Sequence, residues 1–154
     1  MKSLLQLLKT LGIDKSLIPE VSISGLSTNS KSINQGDLFI AIQGTNENGQ
    51  SYITEAINSG AAAVITNKSY SGNSEVPILK VENSRQALST IASEFYDHPS
   101  KSMTVIGITG TNGKTTTAFL VKSILEKSNL KVALIGTLGL LAKDFKYQKT
   151  LTTP

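Results

Sequence analysis

Residues 107–117 read Gly-Ile-Thr-Gly-Thr-Asn-Gly-Lys-Thr-Thr-Thr, directly after the apolar run Met103-Thr104-Val105-Ile106 and directly before the amphipathic stretch Ala118-Phe119-Leu120-Val121. Glycines at 107, 110 and 113 free backbone N–H groups to converge on one anion-sized space, and a helix starting at Lys114 adds the amides of its first turn. Lys114 brings a full positive charge to that space. Thr115 supplies a hydroxyl where a phosphate-binding loop places its ligand for magnesium. The chemistry these residues could do is binding of a nucleoside triphosphate, ATP or GTP. Gly110, Thr111, Asn112 and Gly113 form the cradle, Lys114 meets the outer phosphates, Thr115 meets Mg2+, and Thr116 donates to an inner phosphate. The ordinary Walker pattern wants a glycine where this chain has Ile108, so the loop is a variant. Its bland alternative is a plain strand-to-helix turn with Lys114 solvated.

A cradle of this kind has to be positioned by a strand before it and a helix after it. The pattern predicts a strand at 103–106, a helix to about Lys127, and a second strand over Lys131-Val132-Ala133-Leu134-Ile135. Upstream, Leu4, Leu5, Leu7, Leu8 and Leu11 sit at helical spacing. Val21–Ser24 alternates like a short strand, and Asp37–Ile42 reads as a buried one entered through the turn Asn34-Gln35-Gly36. A short helix over 52–57, closed by Gly60, and a strand over 61–65 follow, an order that implies a parallel pair. Ile78–Val81 is a further strand. Ser84 is expected to cap a helix with Ala87, Leu88, Ile91 and Phe95 on one face, ending before His98-Pro99. Residues 97–102 read as a linker.

The 154 residues leave room for one average domain or one small domain and part of another. Residues 103–154 are too few to cover both faces of a parallel sheet. The expected organisation is therefore a small N-terminal α/β domain over 1–98 and the truncated start of a parallel-sheet P-loop ATPase domain over 103–154. Charged residues at 17% and hydrophobic residues at 39% exclude a wholly disordered chain. The net charge of +4 is scattered and aromatics make up only 5%, so no basic stripe points to nucleic acid. Without cysteine there is no disulfide scaffold, zinc–thiolate site or thiol nucleophile. The N-terminus fails as a signal peptide, because Gln6 and Lys9 interrupt the apolar run, and no segment is long and apolar enough to span a membrane. A cytoplasmic protein is expected.

The loop Gly-Thr-Asn-Gly-Lys-Thr-Thr resembles the ATP-binding signature of the Mur ligases, enzymes that add amino acids to UDP-linked muramic acid in peptidoglycan synthesis. Ser27-Thr28-Asn29-Ser30-Lys31, Gly36–Ala41, Gly44, Gly49, Tyr52-Ile53, Ala56 and Gly60–Val64 are similar, in order and spacing, to the N-terminal UDP-binding domain shared by the MurE and MurF types. Ile135-Gly136-Thr137-Leu138-Gly139 and Leu151-Thr152-Thr153-Pro154 resemble the MurE type. Two departures stand out. Asn29-Ser30-Lys31 replaces the usual Asp-Ser-Arg, losing a carboxylate and exchanging a forked guanidinium for a point charge. Leu151 stands where some members carry Asn.

The resemblance implies an ATP-dependent acid–amino-acid ligase of cell-wall biogenesis, and so of cell shape and division. Such a ligase activates the D-glutamate carboxylate of UDP-MurNAc-L-Ala-D-Glu as an acyl phosphate and joins it to a diamino acid, meso-diaminopimelate or L-lysine. Lys114 and Thr115 take the catalytic roles, with ATP and Mg2+ as cofactors. Thr28, Ser30, Thr45, Asn46, Glu47, Thr152 and Thr153 are carried over as substrate-binding residues. The expected chain is a monomer, engages neither membrane nor nucleic acid, and is inactive as a piece. Alternatives are a MurF-type ligase piece adding a dipeptide, a non-catalytic UDP-sugar binding module and, more remotely, a small GTPase, although nothing reads guanine. The hydroxyls of Thr28, Ser30, Thr152 and Thr153 could equally close turns on their own backbone. Glu47 reads on its own as a solvated loop carboxylate, and His98, the only histidine, as a linker residue.

Overall fold

The computed structural model describes residues 1–14, 16, 18–44 and 47–143. They fall into two compact units, divided between Met103 and Thr104.

The first unit is built on four parallel strands, β3 (Leu26–Ser27), β4 (Leu38–Ile40), β5 (Ala63–Asn67) and β6 (Ile78–Val81), adjacent in chain order. Leu38, Phe39 and Ile40 pair with Ala63, Val64 and Ile65, and Val64–Asn67 pair with Ile78–Val81. Successive side chains point to opposite faces of a strand, so β4 and β5 feed two cores at once. Leu38, Ile40, Ala63, Ile65, Leu79 and Val81 pack with α1 (Leu4–Leu7) and α3 (Ser84–Phe95), through Leu4, Leu7, Ala87 and Ile91. Phe39, Ala41 and Val64 pack on the other face against Ile53 and Ala56 of α2 (Ile53–Asn58). Helices on both faces of a parallel sheet make this an α/β fold. A short antiparallel ribbon, β1 (Lys2–Ser3) with β2 (Ser22–Ile23), anchors the N-terminus.

The leading helix is shorter than its leucine spacing suggests, because only Leu4–Leu7 is α-helical. The cap of α3 is Asn83, not Ser84. The Asn83 side-chain oxygen accepts from the N–H groups of Arg85 and Gln86, while the Ser84 N–H donates to Asn67 Oδ1 at 2.9 Å. Gly60, at φ 108°, closes α2 as expected, in a conformation other residues avoid.

In the second unit α4 (Lys114–Lys127) forms where helical spacing places it, and β7 (Ala133–Gly136) follows. The expected strand at 103–106 does not form, and the expected parallel pairing with it is absent among the described residues. β7 instead pairs antiparallel with β8 (Gly139–Ala142) across the turn Thr137-Leu138. The reason is that a strand exists only when another edge accepts its hydrogen bonds, and a two-residue hairpin brings such an edge at far less loop-closure cost than a helical crossover. Val105 and Ile106 remain 70% and 56% exposed.

Candidate functional site

The turn before α4 depends on its glycines. Gly113 caps the helix at φ 77°, and Gly110 sits at φ 152°. A side chain at Gly113 would meet no atom within 4 Å, so the position requires glycine for its backbone angle and the space above it is open. No side chain caps α4, and its first turn carries no acid. The N–H groups of Lys114, Thr115 and Thr116 therefore keep the donor capacity of an open helix start, and the first intrahelical bond runs from Thr117 N–H to the Gly113 carbonyl at 2.9 Å.

Lys114 folds back over the turn. Its Nζ donates to the Gly110 carbonyl at 2.6 Å and reaches the Thr111 carbonyl at 3.3 Å. Thr111, Asn112, Thr115 and Thr116 are all exposed around it. Backbone donors, one ammonium and exposed hydroxyls thus lie together at an open helix start, a set of groups that suits a polyphosphate.

The residues assigned to substrate lie in the first unit and are less uniform. Thr28 is exposed. Ser30 is buried, and its hydroxyl donates to Glu55 Oε2 at 2.9 Å, tying the 3-10 turn at Ser30–Ser32 to α2. Asn29 caps that turn, its Oδ1 accepting from Lys31 N–H at 3.1 Å. The change from the family's Asp to Asn therefore keeps the side-chain oxygen on which this cap depends. Glu47 is exposed; its carboxylate accepts from the Tyr52 hydroxyl at 3.2 Å, and its carbonyl accepts from Gly44 N–H at 2.9 Å. The Glu47 charge and this hydrogen bond raise the Tyr52 pKa above its usual value of 10.0, with a smaller contribution from Glu55. Thr45, Asn46, Thr152 and Thr153 lie outside the described residues.

His98 closes the end of α3. Its Nδ1 pairs with Ser93 Oγ at 2.8 Å and its Nε2 lies 3.3 Å from Glu94 Oε1. Glu55 is a partner that sequence reasoning missed, since 25 positions separate it from Ser30 and no local pattern links them. Among the described residues no cluster of three or more His, Cys, Asp or Glu could hold a metal ion, and no helix is long and apolar enough to cross a membrane.

Two family models match the chain: "Mur ligase family, catalytic domain" over residues 22–96 and "Mur ligase middle domain" over residues 108–154. A UDP-N-acetylmuramoyl-L-alanyl-D-glutamate--2,6-diaminopimelate ligase of Caldanaerobacter subterraneus subsp. tengcongensis is 44% identical over 136 residues. That alignment takes in 88% of the chain but only 28% of the relative's length. Among solved structures, MurF of Acinetobacter baumannii superposes with a TM-score of 0.67 at 28% identity, over 87% of this chain and 29% of that one. MurF of Thermotoga maritima, solved in complex with ADP, superposes with a TM-score of 0.54 at 32% identity, over 75% of this chain and 25% of that one.

Proposed function

The chain belongs to the Mur ligase family, and on that premise we propose that it carries the substrate-binding and nucleotide-binding portions of an ATP-dependent ligase of the MurE type. The proposed ligase joins 2,6-diaminopimelate to UDP-N-acetylmuramoyl-L-alanyl-D-glutamate in peptidoglycan synthesis. The name of the 44% identical relative supports this type and this amino acid. In the proposed reaction a glutamate carboxylate takes the terminal phosphoryl group of ATP and releases ADP. The amine of the diamino acid then attacks the acyl carbon, and phosphate leaves as the amide forms.

The observation that carries the nucleotide reading is the open glycine turn with Lys114 Nζ 2.6 Å from the Gly110 carbonyl at the uncapped start of α4. Phosphoryl transfer depends on positioning and on neutralising charge, and this turn offers both. Gly110, Thr111, Asn112 and Gly113 cradle the phosphates through their backbone. Lys114 turns from the loop carbonyls to the outer phosphates, and Thr116 donates to an inner one. The Thr115 hydroxyl fits Mg2+, a hard cation that takes oxygen ligands, and such an ion when bound offsets phosphate charge. The first unit would hold the UDP-linked substrate through Thr28, Ser30 and the loop carrying Glu47. The proposed location is the cytoplasm, since the proposed reaction consumes ATP.

A MurF-type ligase is the second reading, favoured by the superposition on MurF of Acinetobacter baumannii. Binding measurements test the common core of both. The chain should bind ADP with Mg2+ through the second unit and UDP through the first, each independently of the other. Failure to bind ADP at millimolar concentration would remove the ligase reading and leave a UDP-sugar binding module. Assay of a protein carrying this chain with diaminopimelate against D-alanyl-D-alanine then separates the two types.

A further inference from the structure

At the carboxyl ends of β4, β5 and β6 the first unit opens into a cleft of about 470 Å³, bordered in part by Gln43, Asn67, Glu82, Ser84 and Arg85. Open parallel sheets bind ligands in the crevice beyond the carboxyl ends of their strands, and this volume lies in the range of small-molecule sites. Of these five residues the sequence singled out Ser84 alone, and that as the cap of α3.

The lining is rich in donors. Arg85 is the only arginine of the chain, and it forms no ion pair among the described residues. The one carboxylate beside it, on Glu82, is already met by Lys68, so the guanidinium charge is not cancelled within the lining. The Asn67 side-chain oxygen takes the Ser84 N–H, which leaves its amide NH2 to donate elsewhere. Ser84 is only 2% exposed, and its hydroxyl has no partner among the described residues. No fully enclosed side-chain oxygen or nitrogen lacks one, so this hydroxyl is not sealed in the fold, and Ser84 borders the cleft.

The first amides of α3 are spent inside the fold. Arg85 and Gln86 donate to Asn83 Oδ1 at 3.0 and 3.1 Å. A ligand in this cleft is therefore held by side chains, namely a guanidinium, amide NH2 groups and a hydroxyl. That set matches a phosphate ester, whose oxygens only accept and whose geometry a planar guanidinium meets with two parallel bonds. The cleft also begins at Gly44, where the loop carrying Glu47 is pinned by the Gly44 N–H to Glu47 carbonyl bond.

We propose that Arg85, backed by Asn67 and Ser84, binds the diphosphate group of the UDP-linked substrate in this cleft, an inference that rests on the substrate assigned above. The test titrates the isotope-labelled chain with UDP, uridine and pyrophosphate, following the Arg85 Nε–H and the amides of Asn67 and Ser84 by NMR, and repeats the titrations with Arg85→Ala and Arg85→Lys. UDP and pyrophosphate should perturb all three groups. Arg85→Ala should bind UDP about tenfold more weakly and uridine unchanged, with Arg85→Lys between. Equal UDP affinity in the wild type and Arg85→Ala overturns the inference and leaves the UDP reading standing. Arg85-dependent binding of pyrophosphate, with no gain for UDP over pyrophosphate, supports the phosphate cleft and removes the UDP reading. Absence of any perturbation by UDP or pyrophosphate overturns the inference.

Discussion

The ammonium nitrogen of Lys114 lies 2.6 Å from the carbonyl oxygen of Gly110, four positions back in the chain. The long side chain is thus already held over the turn by the backbone that would receive a phosphate. On phosphate binding the ammonium exchanges these carbonyl partners for charged phosphate oxygens, which make the stronger hydrogen bonds.

Lys114→Ala should leave α4 intact, because the side chain is exposed and its hydrogen bonds go to carbonyls of the preceding turn, outside the helix. It should weaken ADP binding in the presence of Mg2+ by at least about tenfold, the loss expected for a charge-assisted contact. Fluorescence titration with a labelled nucleotide, alongside far-UV circular dichroism, checks both halves.

Gly113→Ala isolates the conformational requirement of the turn. At φ 77° with no atom within 4 Å of the added carbon, the cost is backbone strain without any clash. It should amount to about 1–2 kcal/mol. Hydrogen exchange in the first turn of α4 should speed up accordingly.

Asn83→Ala removes the acceptor for two amides of α3 and should lower the stability of the first unit by about 1 kcal/mol. Ser84→Ala leaves that cap in place. Urea denaturation of the two variants distinguishes Asn83 as the cap, and equal losses would return the role to Ser84.

The raised pKa of Tyr52 has a definite sign for stability. In the unfolded chain the phenol ionises near its usual 10.0, while in the fold Glu47 opposes the phenolate, so the folded state keeps its proton to higher pH. The contribution is present below that value and lost as pH rises through the folded pKa. Ultraviolet titration should show a phenol ionising late, and Glu47→Gln should move that step back toward 10.0.

The chain spans 28% of the length of its 44% identical relative. Given ATP, Mg2+, UDP-MurNAc-L-Ala-D-Glu and diaminopimelate, it should release neither ADP nor amide product at a measurable rate. Coupled ADP detection and mass spectrometry of the nucleotide-sugar pool read the two products.

What the sequence alone determined is whatever neighbours in the chain decide among themselves. The glycine spacing and Lys114 define the turn, helical periodicity places α4 and α3, and the strand–helix–strand order around Gly60 implies the parallel pairing of β4 with β5. Tertiary structure decided the rest, because those outcomes depend on partners distant in sequence. Met103–Ile106 had the apolar content of a strand but no edge to pair with among the described residues, while β7 found one three residues past its end. Ser30 meets Glu55, and Arg85 borders the same cleft as Gln43 and Asn67, only because the parallel sheet folds these segments side by side. Hydrogen bonds and clefts between segments far apart in the chain leave no periodicity to read, so they appear only when the strands are in register.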